Sequence, residues 1–241
     1  MNERHDVIAR LAISNNPHKL NFSTDEVTSL MPILDQMDES LCDSNGDLRL
    51  LPASVYHAYP TRALAAWCML KSVWQLPTLE LIQWLQLHII RGQKAIAICS
   101  GHDRIGHHLG IPMTDAFHAI RKPEYAATLR RCGIAPRPPH PDVEELEALA
   151  AIKKYKPQVV IGAWVSHVHD GTSDEGYMYG VDEFAVLRAV KTYAMIGHRK
   201  IHDGKPLRQK PHERKLLPGL VSRSMNPAGN CIYVWQNRDK R

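Results

Sequence analysis

Long apolar runs are missing from this 241-residue sequence, and its most apolar stretches are short, as in VVIGAWV. No segment approaches the roughly 18 apolar residues that cross a bilayer. The amino-terminal stretch MNERHDVIAR carries charge of both signs and lacks the apolar core of a signal peptide. These absences predict a cytoplasmic protein with no membrane partner.

Cysteine is also scarce. The five cysteines are odd in number, and no two of them have C-x-x-C spacing. This usage argues against a disulfide framework and against a cysteine zinc site. We expect reduced thiols that pack as small apolar groups.

The composition is otherwise that of an ordinary globular protein, with 44% hydrophobic and 23% charged residues. The net charge of +5 is concentrated in residues 199–215, which hold seven Lys/Arg and two Asp/Glu. This basic segment could contact nucleic acid or another acidic partner, or it could be a solvated surface loop. Aromatic residues do not interleave with its charges, so a stacking platform for single strands is not indicated.

Residues 1–55 are predicted to be an N-terminal helical extension, with a helix that begins at Ser23 or Thr24. The remaining residues, 56–241, are predicted to form one domain that starts with two helices, TRALAAWCMLKSVW and TLELIQWLQLHIIR. The tryptophans of these helices have helical spacing, which favours core positions over platforms for a cofactor or a base.

Strands and helices alternate from about residue 94 onward. Short apolar runs predict strands at KAIAICS, IPMTD, QVVIGAWV and YAMIGH, and amphipathic patterns predict helices at DRIGHHLGI, VEELEALAAIKKY and VDEFAVLRAVKTY. The sequence therefore predicts an α/β fold with a mostly parallel sheet and helices on both faces. Two final strands, LVSRS and CIYVW, have no helix between them, so we expect the last to run antiparallel at or near the sheet edge.

Ligands of such sheets bind beyond the carboxyl ends of the strands, which directs attention to the stretch AIAICSGHDRIGHHLGI. Gly101 and Gly106 have the glycine spacing of a phosphate-binding loop, but His107 and His108 occupy its Lys and Ser/Thr positions. A G-x-G-x-x-G dinucleotide loop is absent as well. Triphosphate chemistry and dinucleotide binding therefore have no support.

The order of elements over residues 56–241 resembles a class I S-adenosylmethionine-dependent methyltransferase. AIAICSGHDRIGHHLGI resembles the first motif of that family, and Thr114–Asp115 resembles the acidic end of its second strand, which binds the ribose hydroxyls. PDVEELEALAAIKKYKPQVVIGAWV resembles the helix and fourth strand near the adenine and the methyl donor. The resemblance implies a Rossmann-like, seven-stranded sheet with an antiparallel final strand and S-adenosylmethionine as cofactor.

The resemblance implies cofactor contacts at Cys99, Ser100, Gly101, Asp115 and Ala163. Ala97 stands where the family has an acid, and Cys99 and Asp103 stand where it has glycines. The side chains of Cys99 and Asp103 could crowd the methionine part of the cofactor, and Asp103 would bring a negative charge near the cofactor carboxylate. Asp115 could instead cap the helix AFHAIRK, and both roles stay open.

The stretch AWVSHVHDG follows the predicted fourth strand, where family members place residues that contact the substrate. Trp164 could stack on a ring of the substrate. His167 could act as a general base, because imidazole titrates near neutrality. His167, His169 and Asp170 also resemble metal ligands, but further ligands at fixed spacing are missing and no metal is assigned.

Three functions follow, in order of preference. The first is methyl transfer from S-adenosylmethionine to an unknown oxygen, nitrogen or carbon acceptor. The second is a catalytically inactive methyltransferase-like module that binds protein or nucleic acid, through residues 199–215. The weakest is a histidine-based metallo-hydrolase on the same sheet.

Overall fold

The structure is a computed structural model that describes residues 24–131, 136–168 and 179–237. Within these ranges, no helix combines the length and apolar character that crossing a membrane would require.

The first described residues form a helical layer, which we define as residues 24–76. It contains α1 (Thr24–Leu41), α2 (Ala53–His57) and α3 (Thr61–Lys71). Apolar side chains from α1 and α3 form one buried core, and the Trp67 indole N–H donates to Asp38 Oδ1 at 2.6 Å. Helices on both sides of the predicted boundary at residue 55 therefore share a core.

The next helix changes its winding midway. Thr78 is the N-cap of α4 (Leu79–Trp84), and its hydroxyl accepts the Leu81 N–H. The helix continues as a π-helical turn over Leu85–Ile90. Leu81, Leu85 and Ile89 are spaced four residues apart in the predicted helix TLELIQWLQLHIIR, and all three are buried. Helical periodicity thus identified the buried face, although it gave no sign of the wider turn.

A seven-stranded sheet forms the centre of the molecule. Its strands are β1 (Ala95–Ile98), β2 (Met113–Asp115), β3 (Val143–Glu145), β4 (Val159–Ala163), β5 (Thr192–His198), β6 (Glu213–Lys215) and β7 (Asn230–Gln236). The spatial order is β3-β2-β1-β4-β5-β7-β6, and β7 runs antiparallel to both of its neighbours. The predicted α/β class with a mostly parallel sheet is confirmed and is consistent with a Rossmann-like fold.

Helices cover both faces of this sheet. They are α5 (Ile105–Leu109), α6 (His118–Arg121), α7 (Pro123–Arg131), α8 (Ala148–Tyr155), α9 (Glu183–Ala189) and α10 (Arg199–His202). Ile96 and Val160 pack with α8 and α9 on one face, whereas Val159 and Ile161 pack with α4 and α5 on the other. Burial on both faces explains why the central strands are continuously apolar.

Two sequence predictions are wrong. Residues 143–155 are not one helix, because residues 143–145 pair with β2 as strand β3 and the helix begins only at Ala148. Residues 220–224 are not a strand, since they contribute only an isolated bridge between Ser222 and Gln75. The edge strand that pairs with the outer side of β7 is β6, within the basic segment. Its three exposed side chains are all charged, which is typical of a sheet edge and gives no apolar signal.

Candidate functional site

A cavity of about 360 Å³ lies at the carboxyl ends of the parallel strands. Cys99 and Gly101 follow β1, Asp115 ends β2, Ala163 ends β4 and Trp164 follows it. All five residues line this cavity. Parallel strands deliver their carboxyl ends to the same edge of a sheet. The predicted residues after β1, at the end of β2 and after β4 therefore lie around one open cavity.

The loop after β1 has the backbone of a glycine-rich loop but carries side chains. Cys99, Gly101 and Arg104 have positive φ angles of 51°, 46° and 57°. The left-handed region suits glycine and costs another residue on the order of 1 kcal/mol. Cys99 lines the cavity where the resemblance implies a glycine, and burial raises the pKa of its thiol.

Asp115 fixes the turn between β2 and α6. Its Oδ1 accepts the Phe117 N–H at 2.8 Å, and its Oδ2 accepts the Gly101 N–H at 3.2 Å. Asp115 as a residue is half-buried, and burial of its carboxyl group raises its pKa from the ordinary value despite these two bonds. Each oxygen keeps a lone pair for a hydroxyl donor in the cavity.

The helical layer supplies another wall of the cavity. Trp74 lies against Trp164 with ring centroids 5.7 Å apart, and the Arg223 guanidinium lies over the Trp74 ring at 3.2 Å. The Trp164 indole N–H donates to Gln75 Oε1 at 3.4 Å. Trp164 has a φ angle of 53°, so this packing holds it in a strained backbone conformation.

Asp103 joins this layer to the loop after β1. Its Oδ1 accepts the N–H groups of Trp74 at 3.0 Å and Gln75 at 3.3 Å. Burial raises the pKa of Asp103 to about 7, although these two N–H groups and Arg223 act to lower it. A buried carboxyl that titrates near neutrality is a frequent feature of functional sites.

No model of a known protein family matches the chain, and no curated protein matches it.

His167 occupies a different place from the other predicted residues. It does not line the cavity, and its Nδ1 lies 3.2 Å from Glu183 Oε2 in a buried network. Lys205 Nζ donates to the same oxygen at 2.7 Å, and Tyr193 donates its hydroxyl to Glu183 Oε1 at 2.8 Å. Burial acts to raise the pKa of Glu183, but Lys205, His167 and Tyr193 lower it below its ordinary value. The role of His167 as a base stays a prediction.

Ser100 also lies outside the cavity wall. Its hydroxyl is buried and has no hydrogen-bond partner among the described residues. His169 and Asp170, the other suggested metal ligands, lie outside the described residues. In the part of the chain that the structure covers, no group of three His, Cys, Asp or Glu side chains is arranged for a metal ion.

Several cations of the basic segment form intramolecular ion pairs. Lys205 pairs with Glu183, Arg208 lies 2.8 Å from Asp203, and Lys215 lies 2.7 Å from Glu213. Arg199 and Lys200 remain exposed on α10, beside the cavity-lining Ile201. Asp203 and Glu213 belong to this segment, so of these three pairs only Lys205–Glu183 offsets part of its excess charge, and most of the excess remains.

The sequence did not mark several of the cavity residues as parts of a site. Trp74 had a helix periodicity that favoured a core position, and His202 lay hidden in the basic segment. The Nδ1 of His202 accepts the His198 N–H at 2.9 Å, and burial lowers its pKa to about 4, so the ring is neutral at pH 7. A further aromatic wall joins His118, Tyr125 and Tyr179 with centroids 5.1 and 5.5 Å apart. Only tertiary contacts unite these positions.

Proposed function

We propose that the protein is an S-adenosylmethionine-dependent methyltransferase whose cofactor binds in the strand-end cavity. One observation carries the proposal. Half-buried Asp115, at the end of β2, shares a cavity with Gly101 after β1 and Ala163 at the end of β4. In open α/β sheets this edge is where ligands bind.

The sheet supports the same assignment. An antiparallel last strand inserted beside the fifth strand, in an otherwise parallel seven-stranded sheet, is the arrangement of class I methyltransferases. Because one fold serves many functions, the topology adds to the argument from the site without replacing it.

The nucleoside end of the cofactor fits the residues present. The Asp115 carboxylate has acceptors for two ribose hydroxyls, and a volume of about 360 Å³ lies in the range of small-molecule pockets. At the methionine end, Cys99 lines the cavity and keeps the positive φ angle that suits a glycine. The cofactor, when bound, supplies an activated methyl group.

The acceptor side of the proposed site is aromatic. Trp164 follows β4, Trp74 packs against it, and both line the cavity. Flat side chains of this kind position a ring of the acceptor by stacking. Asp103 also lines the cavity and accepts the Trp74 N–H, and its pKa of about 7 suits it to accept a proton from the acceptor.

The altered loop supports a second candidate, a methyltransferase-like module that binds a partner without catalysis. Cys99 and Asp103 replace glycines of the family motif, and Asp103 is engaged by the backbone of the helical layer. In such a module the cavity would bind no S-adenosylmethionine, so a binding measurement separates the two candidates.

Calorimetry of the purified protein with S-adenosylmethionine and with S-adenosylhomocysteine tests the proposal. We expect saturable binding of both, and we expect Asp115→Ala to weaken it by at least about tenfold, because hydrogen bonds to a charged carboxylate contribute roughly 1.5–3 kcal/mol each. Asp35→Ala, which removes an exposed acid from α1, is the matched control and should bind like the natural protein.

Thermal unfolding of each variant separates binding from folding, because Asp115 also holds two backbone N–H groups. No heat at high ligand concentration from folded natural protein would leave the inactive module as the function. Unchanged affinity in a folded Asp115→Ala variant would show that the ligand binds elsewhere.

A further inference from the structure

A second concave site lies at the opposite end of the sheet. This groove has a volume of about 710 Å³, larger than the strand-end cavity. Gln93 lies just before β1 and Lys191 just before β5, so the groove is at the amino ends of these strands. The cofactor of the proposed methyltransferase would bind at the other edge, and its function leaves this groove unexplained.

A π-helical turn shapes one wall of the groove. The Arg91 N–H donates to Gln86 O at 3.0 Å, the five-residue spacing of a π-helix, and Arg91 then adopts a φ angle of 49°. Such turns are rare and occur often at functional sites. Here the turn brings Trp84 and His88 to the groove, with ring centroids 5.4 Å apart.

The charge of the groove is positive. Arg91, Lys191 and Lys215 line it together with one acid, Glu213. Lys215 Nζ lies 2.7 Å from Glu213 Oε2, so this pair is largely neutral. Arg91 and Lys191 supply the excess positive charge, which favours an anion.

We propose that this groove binds a nucleotide unit, with the phosphate on Arg91 and Lys191 and the base against Trp84 and His88. A basic groove lined by aromatic rings is the common design for sequence-independent binding of nucleotides, because phosphate meets the cations and every base has a flat face to stack. The unit is supplied either by a free nucleotide or by a single strand. Glu213 and Lys215 are the residues of the basic segment that line this groove. The proposed nucleotide binding does not involve the strand-end cavity.

Thymidine ligands test the proposal, since they avoid confusion with an adenine-binding cavity. Calorimetry compares thymidine monophosphate, thymidine and inorganic phosphate, and fluorescence anisotropy follows a labelled short oligothymidylate. We expect the monophosphate to bind more tightly than either of its parts. A tighter oligonucleotide identifies a single strand as the source, and an equal or weaker one identifies the free nucleotide.

Charge-neutralised variants locate the binding. Arg91→Gln/Lys191→Gln should weaken the affinity at least about tenfold and reduce the slope of log affinity against log salt for the oligonucleotide by about 1.4. The matched control, Arg199→Gln/Lys200→Gln, removes two exposed cations from α10 at the opposite edge and should change neither quantity. Asp115→Ala should also bind thymidine ligands normally.

Aromatic variants test the stacking. Trp84→Leu should weaken the monophosphate about fivefold or more while leaving inorganic phosphate unchanged, since base stacking is lost. His88→Ala gives the same test at an exposed position. Equal binding of phosphate and monophosphate, no binding of either at low salt, or an unaffected Arg91→Gln/Lys191→Gln variant overturns the proposal.

Discussion

At the residue scale, Asp103 is a buried side chain whose ionised form lowers the stability of the folded protein. Its carboxyl group is buried and accepts two backbone N–H groups, yet its pKa is raised to about 7 by burial. In the unfolded chain the same group titrates near its ordinary value of 3.8. Between these values the folded protein holds a proton that the unfolded chain has lost, so stability falls as the pH rises from about 4 to 7.

Asp103→Asn should therefore stabilise the protein at pH 8, by up to about 4 kcal/mol, since three pKa units correspond to about that free energy. The amide oxygen can still accept both N–H groups. Denaturant unfolding at pH 5 and pH 8 measures the effect, and the gain should be much smaller at pH 5. Asp35→Asn on the exposed side of α1 is the control. If Asp35→Asn increases the stability equally, or if the increase from Asp103→Asn does not depend on pH, the buried carboxylate of Asp103 is not its cause.

The sequence identified Asp103 only as a departure from a glycine-rich motif. Its hydrogen bonds go to Trp74 and Gln75, which lie 29 and 28 residues away along the chain. A spacing pattern within a single loop does not reveal such a partner. For the same reason the sequence did not reveal that His167 lies beside Glu183, which also accepts from Lys205, in a buried network outside the cavity.

At the element scale, the close approach of α5 to the sheet depends on Gly106. A Cβ at this position would lie 2.4 Å from Met113 Cγ on β2 and 2.9 Å from Ala97 Cβ on β1. These distances are too short for carbon atoms, so any side chain would push the helix away from both strands. The loop after β1 would move with it, because α5 begins at Ile105, directly after that loop.

Gly106→Ala should destabilise the protein by about 1–3 kcal/mol, as overpacking does in a filled core, even though alanine is the better helix former. Thermal or urea unfolding measures the loss. A double-mutant cycle with Met113→Ala provides the control: the cost of Gly106→Ala should be smaller in that background, since the nearest obstacle is gone. Additive effects would mean that the helix does not approach β2 as closely as described.

Elements with a strong apolar pattern were predictable, and short ones were not. The central strands β1, β4 and β5 are buried on both faces and read as continuous apolar runs. Strands β3 and β6 have three residues each, and most of these are charged. Only pairing with β2 and β7 makes them strands, and no local pattern encodes that pairing.

At the scale of the whole molecule, the helical layer is packed as part of the α/β fold. Its core contains Leu34, Met37 and Leu41 from α1 together with Trp67 from α3, and it reaches Val221 in the carboxyl-terminal part of the chain. Ser72 and Trp74 of this layer also line the strand-end cavity. The layer is therefore expected to unfold together with the sheet.

Met37→Ala should lower stability by about 2–5 kcal/mol, because Met37 is fully buried in this core. Its effect should appear as one cooperative transition by both far-ultraviolet circular dichroism and tryptophan fluorescence. Glu39→Ala, an exposed change on the same helix, is the control and should leave the transition unchanged. Two separate transitions, with only one shifted by Met37→Ala, would make the layer an independent domain.

The sequence by itself determined the class of fold, the central strands and the loop positions that end them, because burial on two faces and helical amphipathicity leave periodic patterns in neighbouring residues. It also marked Asp115 and Trp164 as residues at strand ends. Tertiary structure decided the rest: the order of the strands, the edge strand within the basic segment, the partners of Asp103 and His167, and the wall that Trp74 contributes. The physical reason is that each of these depends on contacts between residues far apart in the chain, which sequence spacing does not encode.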